Sequence, residues 1–168
     1  GKILKELITN DRVIGGLDDI SSETCAEFYS IFCKGKLFKT SAKVAELTKL
    51  TENAYRDVNI AFANELSMLG EELGIDAKEV IKLANHHPRV EVLQPGCGVG
   101  GHCIAVDPWF IANAAPSLTP LIQSARNVND SKRDWVIKNI LEKAINLEKQ
   151  TNKKQTIGCF GITYKPDV

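Results

Sequence analysis

Apolar side chains recur at helical spacing in two stretches near the start of the chain. The first stretch predicts a helix over residues 1–10 and the second a helix over residues 22–33, because positions three and four apart share one face of a helix. The positions concerned are Ile3, Leu4, Leu7 and Ile8 in the first stretch, and Cys25, Phe28, Tyr29 and Phe32 in the second. Residues 11–16 predict a strand and turn, and residues 36–38 a short strand.

Capping residues delimit two further helices. A long helix is predicted over residues 42–73, with the hydroxyl of Thr40 or Ser41 at its start and Gly74 at its end. Asp76, with an acidic residue three positions later, is typical of the start of a short helix that reaches Ala84.

The last third of the chain predicts one more long helix and a strand. Thr119 followed by Pro120 indicates a helix start, and the charge pattern over residues 121–149 predicts a long, partly exposed helix interrupted near Asn129. The apolar run at residues 156–162 predicts a buried strand that stops at Pro166. The fold class predicted from the whole pattern is mainly α.

Composition excludes several classes of function. The chain has 168 residues, long enough for a hydrophobic core, and its 21 basic side chains balance 21 acidic ones. This balance provides no electrostatic basis for binding nucleic acid or a membrane surface, and no apolar run has the length of a membrane span or signal peptide. Five irregularly spaced cysteines favour reduced thiols, and we expect a cytoplasmic protein.

Candidate chemistry is concentrated in the segment QPGCGVGGHCIAVDPW at residues 94–109. Its glycines allow the backbone to approach a ligand closely, and they precede Cys103, which we take as the candidate nucleophile. Asp107 follows one helical turn later, on the same side of the turn. The structural alternative is a tight turn that enters a helix with Cys103 as a small, inert core residue.

The predicted long helix carries a second polar group of residues. Lys49, Asn53 and Arg56 fall within roughly 60° of one another on its surface, so that an ammonium, an amide and a guanidinium share one face. Such a face can bind an oxyanion. The alternative is a solvated polar stripe without a ligand.

Three segments together resemble the UDP-glucose/GDP-mannose dehydrogenase family. They are AELTKLTEN at residues 45–53, GVGGHCIAVD at 98–107 and GITYKP at 161–166, and the resemblance extends over essentially the whole chain. Within the family, TENAYRDVNIAFANE at 51–65 and HPR at 87–89 are most similar to members that act on UDP-N-acetyl-D-mannosamine. The resemblance implies NAD as cofactor.

The resemblance also implies the fold and the domain organisation. We expect a helical central dimerisation domain, similar to the C-terminal domain of 6-phosphogluconate dehydrogenase, over residues 39–150. Residues 1–38 would then be the C-terminal part of the NAD-binding Rossmann domain, and residues 151–168 the first strand of the UDP-binding domain. The chain has no Gly-x-Gly-x-x-Gly turn behind a strand, so we expect a fragment whose cofactor-binding residues lie elsewhere. Such a fragment would be an inactive dimer.

The family's reaction assigns a role to each candidate catalytic residue. A primary alcohol becomes an acid through two hydride removals, and a thiolate can hold the intermediate aldehyde as a thiohemiacetal that is then oxidised to a thioester. Cys103 would be that thiolate, and Lys49 and Asn53 would stabilise the oxyanion that forms at each stage. Asp107 would hold the ammonium of Lys49 or help position water.

Substrate contacts are implied by the resemblance alone. Besides Lys49 and Asn53, the positions that match UDP-sugar contacts are Arg56, His87, Arg89, Gly100, Tyr164 and Lys165. Without the family, His86 and His87 would be interpreted as a helix-end cap and Arg89 as a surface charge. Arg89 corresponds to a residue that reaches a neighbouring subunit, which implies a homodimer. Cys97 departs from the family, because relatives often have proline there.

Alternatives of other classes are less compatible with the spacing. A metal-binding module would use Cys97, His102 and Cys103 with His86 or His87, but adjacent residues do not easily coordinate one tetrahedral ion, and no Cys-x-x-Cys pair exists. A second alternative is a helical dimerisation module without activity. For an enzyme, UDP-N-acetylglucosamine, UDP-glucose and GDP-mannose remain alternative substrates, because selectivity between epimers depends on contacts that spacing does not reveal.

Overall fold

The computed structural model describes residues 2–161. The chain divides into two compact units, Gly1–Glu52 and Asn53–Val168. The elements in chain order are α1 (Ile3–Thr9), β1 (Arg12–Gly16), α2 (Asp19–Ser30), β2 (Leu37–Ser41), α3 (Ala42–Leu73), α4 (Ala77–Ala84), α5 (Asp107–Ala114), a 3₁₀ turn (Pro116–Leu118) and α6 (Pro120–Thr151). The mainly α fold class is confirmed.

The N-terminal unit contains a β-α-β arrangement. Strands β1 and β2 pair in parallel, with Arg12 opposite Leu37 and Gly16 opposite Ser41, and α2 packs against both strands. Two glycines in β1 are required by this packing, because a Cβ at Gly15 would lie 2.6 Å from the Cβ of Ala45. Both predicted strands are confirmed, although the second starts at Leu37 and continues to Ser41.

Helix α2 begins earlier than predicted and buries a different face. The side chain of Asp18 accepts a hydrogen bond of 2.6 Å from the backbone N–H of Ser21, and this cap starts the helix at Asp19. The buried residues of α2 are Ser22 and Ala26, because only short side chains fit against the glycine-containing strand. The predicted apolar stripe is therefore not the buried face, and Phe28 is 61% exposed.

Local capping explains the ends of α3 and α4. The hydroxyl of Ser41 accepts from the backbone N–H of Val44 at 3.4 Å, and α3 ends at Leu73 before Gly74, whose φ is +66°. Asp76 accepts from the backbone N–H of Lys78 at 2.9 Å and starts α4. The predicted bounds of both helices are confirmed. A helix of 32 residues such as α3 is about 48 Å long.

Helix α6 runs without a break from Pro120 to Thr151, so the predicted interruption near Asn129 is wrong. Asn129 is 1% exposed, and its side chain binds groups on α3 instead of competing for the backbone of its own helix. Thr119 does not cap the helix with its side chain, because its hydroxyl donates to the carbonyl of Ala115 at 3.0 Å. Pro120 occupies the first turn as predicted.

The predicted buried strand at residues 156–162 is wrong over its described part, residues 156–161. These residues are irregular, and Phe160 is 98% exposed. A strand needs a neighbour for its backbone hydrogen bonds, and no described residue pairs with this segment. The motif residues Tyr164 and Lys165 lie outside the described residues.

Small residues form much of the core of the second unit. Most buried apolar positions of α3, α5 and α6 are alanines, to which α5 adds Pro108 and α4 adds Ile81, both fully buried. Short side chains allow helix backbones to approach closely, so polar side chains of one helix can reach the next. The alanines are Ala54, Ala61 and Ala63 on α3, Ala112 on α5 and Ala125 on α6. None of the described helices is long and apolar enough to span a membrane.

Candidate functional site

The glycine-rich segment forms an irregular loop between α4 and α5. Gly98 and Gly101 have φ values of +133° and +87°, in the region that other residues rarely adopt. A Cβ at Gly98 would lie 3.4 Å from the backbone oxygen of Asn129, so the loop also packs closely against α6. Glycine is required at these points by backbone conformation, and the close approach of this backbone to a ligand stays a prediction.

Cys103 lies at the end of this loop with an exposed side chain. Its carbonyl accepts hydrogen bonds from the backbone N–H groups of Val106 at 3.1 Å and Asp107 at 2.8 Å. One turn of backbone therefore separates Cys103 from Asp107, which begins α5, and this predicted spacing is confirmed. The alternative of a buried Cys103 is wrong, whereas its role as nucleophile stays a prediction. Cys97 and Cys159 are also exposed, so burial does not distinguish the three thiols.

Asp107 and Asn53 join α5 to α3. The side-chain amide of Asn53 donates from Nδ2 to Oδ2 of Asp107 at 2.6 Å. Asn53 is buried and Asp107 is half-buried. Two predicted catalytic residues, 54 positions apart in sequence, are thus in direct contact.

Lys49 belongs to the N-terminal unit, where its ammonium lies 2.9 Å from a carboxylate oxygen of Glu52. Both side chains are more than half exposed, so this pair contributes little to stability. The proposed contact between Lys49 and Asp107 stays a prediction. Arg56, in the second unit, is exposed.

His87 and Arg89 lie just after α4, and both are exposed. The backbone N–H groups of His86 and His87 donate to carbonyls of the last turn of α4, and Nδ1 of His87 accepts from the backbone N–H of Arg89 at 3.3 Å. These contacts are those of a helix-end turn, the alternative that spacing suggested. They leave the guanidinium of Arg89 on the surface, and its role as a ligand stays a prediction.

Two asparagines attach the segment before the glycine loop to helices α3 and α4. Asn59 donates to the carbonyl of Glu91 and accepts from the N–H of Leu93, each at 2.9 Å. Asn85 donates to the carbonyl of Val92 at 2.9 Å and accepts from the N–H of the same residue at 2.8 Å. Each side-chain amide thus donates one hydrogen bond to the backbone of this segment and accepts one from it, as the backbone of a neighbouring strand would.

A buried polar network, which the sequence analysis missed, connects α3, α6 and the glycine loop. Asp57 accepts from Arg126 at 2.7 Å and from Asn129 at 2.8 Å, through the same oxygen. Asn129 accepts in turn from Asn64, whose Oδ1 accepts from the backbone N–H of Gly96 at 2.9 Å. The four side chains are 0–2% exposed. Burial raises the pKa of Asp57, and the charge of Arg126 and the hydrogen bond from Asn129 oppose that shift.

A sequence signal for this network exists on α3. Asn53, Asp57 and Asn64 lie within about 40° of one another around the helix axis, so they form a polar stripe beside the alanines of the core. Their partners on α6 carry no comparable local signal, because pairing across 69 residues depends on how the helices pack.

Lys132 lies on α6 near the start of the glycine loop and is 3% exposed. Its ammonium donates to the hydroxyl of Ser67 at 2.7 Å and lies 3.8 Å from the centre of the Trp135 ring. Burial lowers the pKa of Lys132, and nearby Cys97 and Glu71 act in the opposite direction. Among residues 2–161, no group of three or more His, Cys, Asp or Glu side chains has the arrangement of a metal site.

Comparison with known proteins decides the family. The sequence profile of the UDP-glucose/GDP-mannose dehydrogenase family, central domain, matches residues 43–131, more than half of the chain. The chain belongs to this family. The matched range contains α3, α4, the glycine loop, Cys103, α5 and the network residues of α6. Family membership therefore rests on the part of the chain that contains the candidate site.

Individual relatives are similar over the whole chain but are much longer. An NDP-N-acetyl-D-galactosaminuronic acid dehydrogenase of Ralstonia nicotianae is 51% identical over 168 residues, which are 100% of this chain and 38% of the relative. A UDP-N-acetyl-D-mannosamine dehydrogenase of Escherichia coli K12 is 50% identical over 171 residues, 100% of this chain and 41% of the relative. The chain thus spans about two fifths of these relatives.

A solved structure has the same fold. The UDP-D-ManNAc dehydrogenase of Pyrococcus horikoshii is 41% identical, with a TM-score of 0.82 over 90% of this chain and 35% of that protein. Family and fold thus agree with the resemblance found in the sequence.

Proposed function

We propose that the protein containing this chain is an NAD-dependent nucleotide-sugar 6-dehydrogenase that oxidises UDP-N-acetyl-D-mannosamine to UDP-N-acetyl-D-mannosaminuronate. The observation that carries the proposal is the exposed thiol of Cys103, one backbone turn before Asp107, whose carboxylate contacts Asn53. Family membership and relatives of that name support the same activity.

The role of Cys103 follows from the chemistry of the substrate. Oxidation of a primary alcohol to an acid removes two hydrides, and NAD is the hydride acceptor implied by the family. The aldehyde formed in between must not escape. The thiolate of Cys103 adds to the aldehyde carbon, which places the negative charge on the former carbonyl oxygen. Loss of the second hydride leaves a thioester, and attack by water releases the acid and regenerates the thiol.

Asn53 and Lys49 act on the oxygen that becomes charged in each step. An amide or ammonium donor aimed at such an oxyanion contributes roughly 3 kcal/mol in a site shielded from water. The hydrogen bond to Asp107 uses one N–H of the Asn53 amide and leaves the other for the substrate oxygen. Asp107 thus orients Asn53, and its second oxygen is free to orient the attacking water or Lys49.

The turn from β1 to α2 does not fit the pyrophosphate of NAD. The turn from β1 to α2 resembles a nucleotide-binding turn in topology, but the carboxylate of Asp18 already occupies the N-terminus of α2. A fixed negative charge there opposes a phosphate. The pyrophosphate is therefore not expected to bind at this turn.

The identity of the sugar is tested by turnover of the intact enzyme. Formation of NADH and uronate is measured with UDP-N-acetylmannosamine, UDP-N-acetylglucosamine, UDP-glucose and GDP-mannose. The 51% identity with a galactosaminuronic acid dehydrogenase favours UDP-N-acetylgalactosamine as a second candidate, and it is included. The largest kcat/KM is expected for UDP-N-acetylmannosamine. Absence of turnover with every sugar would instead support an inactive helical module.

Two further properties belong to the same proposal. A homodimer is supported by exposed apolar side chains on α3, where Phe62, Leu69 and Leu73 are each more than half exposed. A cytoplasmic location is supported by five free cysteines, which suit a reducing compartment.

A further inference from the structure

The buried network ends on the glycine loop through a single hydrogen bond. The backbone N–H of Gly96 donates to Oδ1 of Asn64. Asn64 is fully buried and Gly96 is exposed, so this bond attaches a surface loop to a buried acceptor. The bond fixes the loop seven residues before Cys103.

The orientation of each amide in the network is determined by its neighbour. The Oδ1 of Asp57 is an acceptor, so Asn129 turns its NH₂ toward it and also donates to the backbone oxygen of Asp57 at 3.0 Å. The oxygen of Asn129 then faces Asn64 and accepts from its NH₂ at 2.9 Å. This leaves the oxygen of Asn64 directed at the N–H of Gly96.

A different amide orientation would place two donors opposite each other at Gly96. If Asn64 were reversed, its NH₂ would face the N–H of Gly96, and the two donors could not form a hydrogen bond. Arg126 holds the carboxylate of Asp57, the first acceptor of the series, in place, because its guanidinium donates to Asp57 at 2.7 Å and also pairs with Asp130. The series therefore runs in one direction from an ion pair on α3 and α6 to the backbone of the loop.

We propose that Asp57, Asn129 and Asn64 are positioning residues that hold the glycine loop, and with it Cys103, in its reactive geometry. This inference rests on the proposed function, since the loop positions a nucleophile only in the intact enzyme. A displacement of about 1 Å at a nucleophile can reduce the rate by about a hundredfold. The network is separate from the contact between Asn53 and Asp107, which lies at the other end of the loop.

The first experiment removes the last link in the intact enzyme. Asn64→Leu is expected to reduce kcat by about tenfold or more while KM changes less than about threefold, and to speed hydrogen exchange of the peptide that contains Gly96 by about tenfold. The control is Asn139→Leu, which loses a side-chain hydrogen bond of 3.0 Å to the carbonyl of Trp135 within α6. Its kcat is expected within about threefold of wild type.

The second experiment moves the carboxylate along the series without changing the net charge. Asp57→Asn alone lets the side-chain amide of Asn129 turn either end toward residue 57. Asn129→Asp alone places a second carboxylate against that of Asp57. Both single variants are therefore expected to lower kcat. The double variant again presents an acceptor to Asn64 and is expected to recover at least about threefold in kcat over the worse single variant. This swap tests the inference even where Asn64→Leu does not fold.

The outcomes separate this inference from the proposed function. Faster exchange at Gly96 with unchanged kcat in Asn64→Leu would overturn the positioning role. Unchanged exchange, or a double variant no better than the worse single variant, would overturn the directed series of hydrogen bonds. An inactive wild-type enzyme whose exchange still responds as expected would refute the proposed function but not the control of the loop by Asn64.

Discussion

The side-chain amide of Asn53 donates to the carboxylate of Asp107 at 2.6 Å, and this contact joins the middle of α3 to the first turn of α5. Because Asn53 is buried, water does not easily take the place of Asp107 as the acceptor of its amide proton. The contact therefore orients the amide relative to the turn that carries Cys103.

Asp107→Asn tests this orientation in the intact enzyme. The substitution keeps the volume but replaces an acceptor by an amide that can face Asn53 with either end. We expect kcat to fall by roughly a hundredfold, with a smaller change in KM, because the oxyanion donor is no longer oriented. Glu72→Gln is the control, since it alters an exposed carboxylate on the same helix as Asn53. Steady-state kinetics with near wild-type kcat for Asp107→Asn would contradict the assignment.

Cys103→Ala is expected to abolish uronate formation, because Cys103 is the described thiol that comes next after the positive-φ glycines Gly98 and Gly101. Cys97→Ala is the matched control and is expected to keep most of the activity. Product analysis by mass spectrometry distinguishes aldehyde from uronate. An inactive Cys97→Ala with an active Cys103→Ala would show that the nucleophile has been misassigned.

Lys49 and Arg56 are expected to differ in kinetics. Lys49→Ala should lower kcat by roughly a hundredfold or more, because its charge interacts most strongly with the developing oxyanion. Arg56→Ala should mainly raise KM, because a guanidinium that binds substrate acts equally in the ground and transition states. Steady-state and single-turnover rates of both variants provide the measurement. Equal kinetic effects of the two substitutions would indicate that this face of α3 only binds substrate.

Lys132 is expected to make the free energy of unfolding depend on pH in the alkaline range. Its pKa is lowered by burial below the ordinary 10.5, so the folded chain binds fewer protons than the unfolded chain between the lowered pKa and 10.5. The free energy of unfolding contributed by Lys132 therefore rises with pH across that window. Urea unfolding between about pH 8 and pH 10 should show a flatter dependence for Lys132→Met than for wild type. Lys143→Met, at an exposed pair, should leave the slope unchanged.

The 168-residue chain alone is expected to be a dimer without dehydrogenase activity or tight NAD binding. Phe62 is 53% exposed on α3, and a charge there should oppose association, so Phe62→Glu should sediment as a monomer at micromolar concentration. Val80→Glu introduces the same charge at an exposed apolar position of α4 and should remain dimeric. A monomeric wild-type chain would exclude the dimer, and micromolar NAD affinity would show that the cofactor site is misplaced.

Predictions from sequence were accurate where the physical cause is local. The bounds of α3 and α4 follow from Ser41, Gly74 and Asp76, whose effects act within one turn of backbone. The spacing of Cys103 and Asp107 is likewise a property of one turn. The family was recognisable for the same reason, since its glycine and cysteine motif is contiguous in sequence.

Tertiary structure decided everything that depends on partners distant in sequence. Residues 156–161 have the composition of a buried strand but form none, because a strand requires a neighbouring ladder. Asn129 has the character of a helix interruption, yet α6 continues through it because Asp57, 72 positions away, accepts its amide protons. Sequence alone thus determined the bounds of α3 and α4, the turn from Cys103 to Asp107 and the family. Packing between helices decided which polar side chains are buried together, because the desolvation of a polar group is offset only by a partner that the fold brings within reach.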